Sequence, residues 1–559
     1  MKNKILLLII FMSTLKRLLL SSIGGLIIIF ILGSFLRFNN LANNPPSLNW
    51  DEVAFGYNAY SVLKTGKDEF GRPFPVYFRS LDDYKLPVYM YMTVVSEQIF
   101  GYNNFAVRFP SALFGSLTII IVFFLCRILL KNNHASLLSA LLFAILPWHI
   151  QFSRMAAEST VGLFFFMTGM LIFFYSLQKN SIWLIFSFFS FAISQYTYLG
   201  FRLITPILGV LLIILYRKQI FRKNIFVFIT CGLIIMFNFL LAYDSYINRN
   251  TSRLNGIAAI TTYTPEYQQD TTELIEDGKY GINLPRRFFH DSHIFSSINI
   301  ITRNYLSHFS PDFLFFNSGT RHYTPMFGLL YLWMLPFIVL GLLLLPKLQY
   351  KSSIVILSLF LLPPLPGSFA FDSPNTIRTI ALSVPFCIVA SLALCAIGKK
   401  IFRINSYYFI AYLFLVSCII LSGTFYYYHQ NKIHLPHEKS QEWQYGRKEM
   451  TKYILEHQKE YEKIIVSTKL QWPNVFFLYY SKYDPKKHLA NGGTIGGSWA
   501  EEQNKIENIE FHKFKYPQDA EGKKVLFIGE PTEFPIQAHP LHIIKYLDGS
   551  PAIYFVDIN

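Results

Sequence analysis

Long apolar runs dominate the chain, among them LLLSSIGGLIIIFILGSFLRF, SLTIIIVFFLC, SVPFCIVASLALCAIG and IAYLFLVSCIILSG. Crossing a hydrocarbon layer of ~30 Å takes about 20 such residues in a helix. The runs predict about eleven spans, near 18–37, 108–130, 135–149, 157–177, 181–196, 201–216, 225–243, 324–345, 353–371, 377–398 and 405–425. With 52% hydrophobic and only 15% charged residues, the fold class that follows is a polytopic α-helical membrane protein. No small-residue cleavage site follows the first run, and Lys16 and Arg17 abut its start, so it reads as a retained span and not as a cleaved signal peptide.

The charges sort by membrane face. With the N-terminus placed in the cytoplasm, the inner segments hold Lys2, Lys4, Lys16 and Arg17; Arg127 and Lys131; Lys179; Arg217, Lys218, Arg222 and Lys223; Lys347 and Lys351; and Lys399, Lys400 and Arg403. No acid lies among these sixteen, so the net charge of +16 sits on one face, as the positive-inside rule requires. The charge therefore reports orientation, and no nucleic-acid partner is needed to account for it. All five cysteines fall inside apolar runs, which argues against disulfides and thiolate metal sites.

Three regions are expected outside the membrane on the opposite face. A first loop covers about 38–107, and its stretch LPVYMYMTVVSEQIFG reads as an amphipathic segment at the interface. A second, polar loop covers about 244–323. From about 426 to 559 the chain reads as a small soluble α/β domain, distinct from the membrane domain 1–425. There EWQYGRKEMTKYILEHQKEYEK is helix-like, and KIIVS, NVFFLYY, KVLFIG and AIYFVD are strand-like.

Within the first loop, NWDEVAFGYNAY places two adjacent acids, Asp51 and Glu52, just beyond a membrane exit. A hydrated loop or a helix N-cap at Asp51 accounts for such a pair as readily as a site does. Basic residues near the outer ends of the spans are less easily dismissed: Lys85 in DDYKLPVY, Arg108 in FAVRFPSAL, Arg154 in HIQFSRMAAES, Arg202 in QYTYLGFRL and Arg378 in NTIRTI. Singly, each can snorkel to lipid phosphates; together they would build an anion pocket at the outer leaflet. Glu158 follows Arg154 by four residues, the spacing of a helical ion pair or of a shared site. His149, His290 and His293 are weak metal-ligand candidates. The chain contains no P-loop, no dinucleotide-binding glycine fingerprint and no G-x-S-x-G.

WDEVAFGYNAY, YKLPVYMYM, FGYNNFAVRFPSALFGSL, LPWHIQFSRMAAES and YTYLGFRLITP, in that order, resemble the bacterial branch of the dolichyl-phosphate-mannose–protein mannosyltransferase superfamily. These are GT-C fold glycosyltransferases, related to the aminoarabinose transferases that act on lipid A. The resemblance covers roughly 40–215, and PNTIRTIALSVP shares it. It implies a polyprenyl-phosphate-linked sugar as donor, used at the outer face, and a glycan, lipid or protein as acceptor. By it Asp51 matches the essential first-loop acid, Glu52 its neighbour, Glu158 a second acidic position, Lys85 the lysine near the donor phosphate and Arg108 the arginine before the second span. Arg202 and Arg378 join the phosphate-binding candidates, with Arg154 and Tyr198 as further ones. No cofactor is required, although some GT-C enzymes use a divalent metal, for which Asp51 and Glu158 would be ligands. The loop at 244–323 is too short for the β-trefoil domain of the eukaryotic protein mannosyltransferases. A transporter or flippase of lipid-linked sugars is the alternative reading, but a transporter calls for polar residues along a path through the membrane, and here the ionisable groups gather at the faces.

Overall fold

The computed structural model describes residues 21–81, 83–179, 182–220, 265–281, 294–318, 322–496 and 498–558, with five further positions between 229 and 237. The basic N-terminal segment, most of the expected span 225–243, and His290 and His293 lie outside the described residues.

Helix α1 (Ser22–Phe38) leads into the first loop, which holds α2 (Trp50–Thr65), a hairpin of β1 (Phe78–Ser80) and β2 (Asp83–Lys85), and α3 (Pro87–Phe100). There follow α4 (Asn104–Leu130), the bent pair α5 (Asn133–Ile145) and α6 (Pro147–Ser153), α7 (Glu158–Gln178), α8 (Trp183–Thr197) and α9 (Gly200–Ile220). The second loop contributes α10 (Pro265–Lys279) and α11 (Ile294–Ser307). The membrane part ends with α12 (Leu335–Leu344), α13 (Tyr350–Leu361), α14 (Ser383–Ile404) and α15 (Ser406–His429).

Six of the described helices are long and apolar enough to cross a membrane, or seven with the bent pair as one span, fewer than the expected eleven. The shortfall has a physical origin. The runs near 18–37, 181–196 and 324–345 fold as apolar helices, but α1 and α8 have only 17 and 15 residues and the third runs only from Leu332 to Lys347, while most of 225–243 lies outside the described residues.

The last apolar helix does not stop at 425. Helical structure runs on from Ser406 to Lys439 and delivers the chain to a six-stranded sheet ordered β4-β5-β3-β6-β8-β7. Its strands are β3 (Lys463–Val466), β4 (Lys505–Ile506), β5 (Ile509–Phe511), β6 (Val525–Gly529), β7 (His542–Lys545) and β8 (Pro551–Ile558), with β3 parallel to both β5 and β6. Helices α16 (Arg447–His457), α17 (Pro473–Tyr480) and α18 (Pro485–Ala490) complete the unit.

NVFFLYY, expected as a strand, is helix α17. Pro473 starts it, and Asn474 to Tyr479 are all buried, so a continuous apolar run carried no period by which to tell strand from helix. Its burial arises because α17 lies between the sheet and α2, where adding a Cβ at Gly56 would strike Tyr479 at 2.3 Å. One hydrophobic cluster accordingly joins Val53, Phe55 and Tyr57 of α2 to Phe476 and Tyr479 and to Ile464 and Phe555 of the sheet. The C-terminal unit and the first loop share a core.

Candidate functional site

Asn49 starts α2 with a capping box: its side chain accepts from Glu52 N at 3.0 Å, and Glu52 Oε2 accepts from Asn49 N at 3.1 Å. The cap is therefore Asn49 and not Asp51, which stands in the first turn. Adjacent residues on a helix point about 100° apart, and the two acids have opposite fates.

Glu52 is fully buried. Its Oε1 accepts from Arg108 Nε at 2.8 Å and from Ala156 N at 2.9 Å, and its Oε2 also accepts from Arg108 Nη2 at 2.9 Å. Arg108 donates its remaining N–H groups to the carbonyls of Leu41, Pro45 and Ser47. All five guanidinium donors are engaged, so Arg108 has none left for a donor phosphate. This corrects the expectation for both residues: they form a buried clamp that fixes the turn 154–157 and the loop 41–47 against the start of α2.

Arg154 departs from expectation in a similar way. It caps the short α6, and the chain turns before α7 begins at Glu158, so the two share no helical face. Its Nη1 donates to Leu36 O and Arg37 O, its Nη2 to Asn39 O and Asn44 O, all within 3.1 Å. It holds the exit of α1. His149 is likewise occupied, its Nδ1 3.0 Å from Arg37 Nη2, a cation that disfavours a metal.

Asp51 instead faces the open side. Its carboxylate is 41% exposed and lies 2.9 Å from Lys85 Nζ, whose side chain is 10% exposed. Lys85 is presented by the β1–β2 hairpin, paired with Phe78. Arg202, at the start of α9, reaches the same hairpin from the other side: Nη2 donates to Tyr77 Oη at 3.0 Å and Nε to Gln195 O at 3.2 Å, with the guanidinium near the Tyr77 and Tyr196 rings. Tyr198 ends α8 and packs near Phe201. A Cβ built at Gly200 would sit 3.6 Å from Arg378 O, which sets the loop 372–378 beside the start of α9. Arg378 itself is ion-paired to Asp372. Glu158 begins α7 two residues beyond Ala156, so the Glu52 clamp ties its position to that of Asp51.

The structure thus brings Asp51 and Lys85 into contact, ties Arg202 to their hairpin and Glu158 to their helix, and sets the Arg378 backbone beside Gly200, with the Arg378 charge matched by Asp372. Among the described residues no three His, Cys, Asp or Glu gather as metal ligands, and the Asp51 carboxylate is paired with the Lys85 ammonium. The residues present do not make the donor set expected for a divalent ion at Asp51 and Glu158.

Sequence reasoning missed His322 and Trp443. The His322 ring lies 6.3 Å from that of Trp50 and 4.7 Å from that of Trp443, and the Arg108 guanidinium lies 5.6 Å from Trp443. The two residues come from distant parts of the chain, and the turn segment 441–445, ahead of α16, brings Trp443 against His322. That segment is polar and aromatic with no motif spacing.

Residues 85–243 match the family described as dolichyl-phosphate-mannose-protein mannosyltransferase. A comparison with curated protein sequences finds no match. Among solved structures, the oligosaccharyltransferase AglB of Archaeoglobus fulgidus in complex with an inhibitory peptide and a dolichol-phosphate superposes with a TM-score of 0.51 at 12% identity, covering 91% of this chain and 69% of that one. The same archaeal enzyme tethered to an acceptor peptide gives 0.53 at 13% identity, again over 91% and 69%. ArnT of Cupriavidus metallidurans bound to undecaprenyl phosphate gives 0.48 at 12% identity over 96% and 98%. The chain shares its fold with the archaeal oligosaccharyltransferase, and its long apolar helices are those of a multi-pass membrane protein. Within it, the segment from Lys85 to the end of the matched region has the mannosyltransferase family's pattern.

Proposed function

We propose that the protein transfers a sugar from a polyprenyl-phosphate donor to an acceptor hydroxyl at the extracytoplasmic face. The observation that carries this reading is the Asp51–Lys85 contact at 2.9 Å: one acid left accessible, one cation placed on it, and the neighbouring acid fully engaged in structure. An arriving phosphate competes for the Lys85 ammonium, since a phosphate oxygen is a strong partner for a cation. Asp51 then loses its counter-charge and becomes the better base.

In the reaction the acceptor oxygen forms a bond to the anomeric carbon while the bond from that carbon to the phosphate oxygen breaks. The phosphate departs with the electron pair, stabilised by Lys85 with help from Arg202, and the hydroxyl proton passes to Asp51. Attack opposite the leaving phosphate inverts the configuration. Arg378 contributes once its pair with Asp372 is loosened. Orientation with the site outward is supported by the sixteen basic residues, with no acid among them, in the segments at the opposite ends of the spans.

The test is transfer of radiolabel from undecaprenyl-phosphate-linked hexose or pentose to membranes of a host lacking the gene, by the purified chain and by Asp51→Asn. Loss of at least a hundredfold in the variant, with the protein still folded, supports the assignment of the base. Normal transfer by Asp51→Asn overturns it, and movement of the labelled lipid between leaflets without consumption favours the flippase reading.

A further inference from the structure

His322 is held more firmly than a loop histidine needs to be. Its backbone carbonyl accepts from Gln151 Nε2 at 2.6 Å, and its Nε2 lies 2.8 Å from Glu442 O. A carbonyl only accepts, so Nε2 carries the proton. The ring stands between Trp50 and Trp443, and burial lowers its pKa below the ordinary histidine value, so it is neutral at physiological pH. In that tautomer Nδ1 is a fixed lone pair, and it has no partner among the described residues. Trp50 immediately precedes Asp51, and the carboxylates of Asp51 and Glu52 both act on the ring.

We infer that His322 binds the acceptor, its Nδ1 accepting a hydrogen bond from a hydroxyl or amine of the acceptor next to the hydroxyl that Asp51 deprotonates. The acceptor class this selects is one with a second donor close to the reacting oxygen, such as a sugar diol or the main-chain N–H beside a hydroxylated side chain. A lone alcohol would not satisfy it. The two tryptophans flank the ring, which stays partly open to an arriving acceptor. The role rests on the glycosyl-transfer reading, and the C-terminal unit takes part in it because Glu442 sets the tautomer and Trp443 one wall.

Two substitutions separate contact with the acceptor from mere support of the fold. His322→Gln puts a donor where Nε2 stood and keeps the Glu442 bond but lacks the Nδ1 acceptor. His322→Asn puts an acceptor near Nδ1 and gives up the Glu442 bond. With labelled undecaprenyl-phosphate sugar as donor and titrated membranes of a host lacking the gene as acceptor, His322→Gln should raise the half-saturating acceptor concentration about tenfold, with half-saturation by donor unchanged. His322→Asn should stay within about twofold of wild type. A structural role gives the reverse order, and that result, or a wild-type response of His322→Gln, overturns the inference.

A measurement on the unaltered chain guards against misfolded variants. Modification of His322 by diethyl pyrocarbonate, mapped by mass spectrometry, should slow in the presence of the acceptor membranes and not of the donor; equal rates overturn the inference. If the wild-type chain transfers nothing, the glycosyl-transfer reading fails; if it transfers and His322 is indifferent, only this inference fails.

Discussion

Glu52→Gln is the most informative perturbation, because it separates an acid used for structure from an acid used for chemistry by a single atom exchange. Gln retains one oxygen for Ala156 N–H and Arg108 Nε, but its amide nitrogen replaces the oxygen that accepts from Asn49 N and Arg108 Nη2. Two donors then face a donor in a fully buried site, each costing about 1–3 kcal/mol. The Arg108 guanidinium also loses its only carboxylate while fully buried, and breaking such pairs costs about 3–5 kcal/mol in all. At 1.4 kcal/mol per factor of ten, the locally opened population rises by about two to three orders of magnitude. Pulse proteolysis in detergent should show this as cleavage near the loop 41–47. Transfer per folded molecule should fall far less than in Asp51→Asn. If Glu52→Gln keeps wild-type protease resistance and yet abolishes transfer, the division of labour between the two acids is wrong.

Lys85→Met should raise the half-saturating donor concentration about ten- to a hundredfold, the worth of one charge-assisted hydrogen bond, and leave that for the acceptor unchanged, both measured in the radiolabel assay. A second prediction concerns the seat of the C-terminal unit on the first loop. Buried Glu69 accepts from Asn58 Nδ2 at 2.7 Å and Thr494 Oγ1 at 2.9 Å, and His488 Nε2 lies 3.0 Å from that hydroxyl. Burial raises the Glu69 carboxyl from 4.5 to about 7 and lowers His488 from 6.5 to about 4. The Glu69 contribution is full below about 4.5 and is lost as pH rises through about 7; the His488 contribution is full above about 6.5 and is lost as pH falls through about 4. The two nearly cancel, so thermal stability of the wild type should vary little from pH 4 to 7 on their account, whereas His488→Gln should unmask a decline with rising pH and Glu69→Gln a decline with falling pH. A steep slope in the wild type that neither substitution alters would count against the clasp.

The membrane class and the order of helices were legible because each described run folds as helix, whatever its length. The α/β character of the C-terminal unit was legible in KIIVS, KVLFIG and AIYFVD, which are β3, β6 and β8. Its helix α17 was not, since a run buried on every side carries no period. Among the candidate residues, Asp51 and Lys85 meet across 34 positions of sequence, and the resemblance read from the motifs pointed to both. Arg108, Arg154 and Arg378 are partnered within the chain for one physical reason. A charge at a membrane end needs a partner, and sequence shows the need without the partner. In the folded chain the partners are backbone carbonyls of the α1 exit for Arg154, Glu52 and three loop carbonyls for Arg108, and Asp372 for Arg378. The Asn431–Gln151–Thr324 hydrogen bonds and the His322–Glu442 link, which dock the last helix and the C-terminal segment on the site, join residues more than a hundred positions apart and left no local trace.

Placing two acids side by side at the start of α2 solves a positioning problem. A general base at a membrane surface must be exposed enough to meet its acceptor yet held to within a fraction of an ångström. One carboxylate cannot be both buried and exposed, but two successive helix positions can divide the task, because the turn between them aims one inward and the other outward. Glu52 locks the helix start to Arg108, to the turn before Glu158 and to its own cap. Asp51 inherits that rigidity while keeping an open face, with Lys85 balancing its charge until, in the proposed reaction, a phosphate takes the lysine away. On this view the order of the pair matters: exchanging the two residues would bury the base and expose the anchor, although composition, charge and hydropathy would all be unchanged.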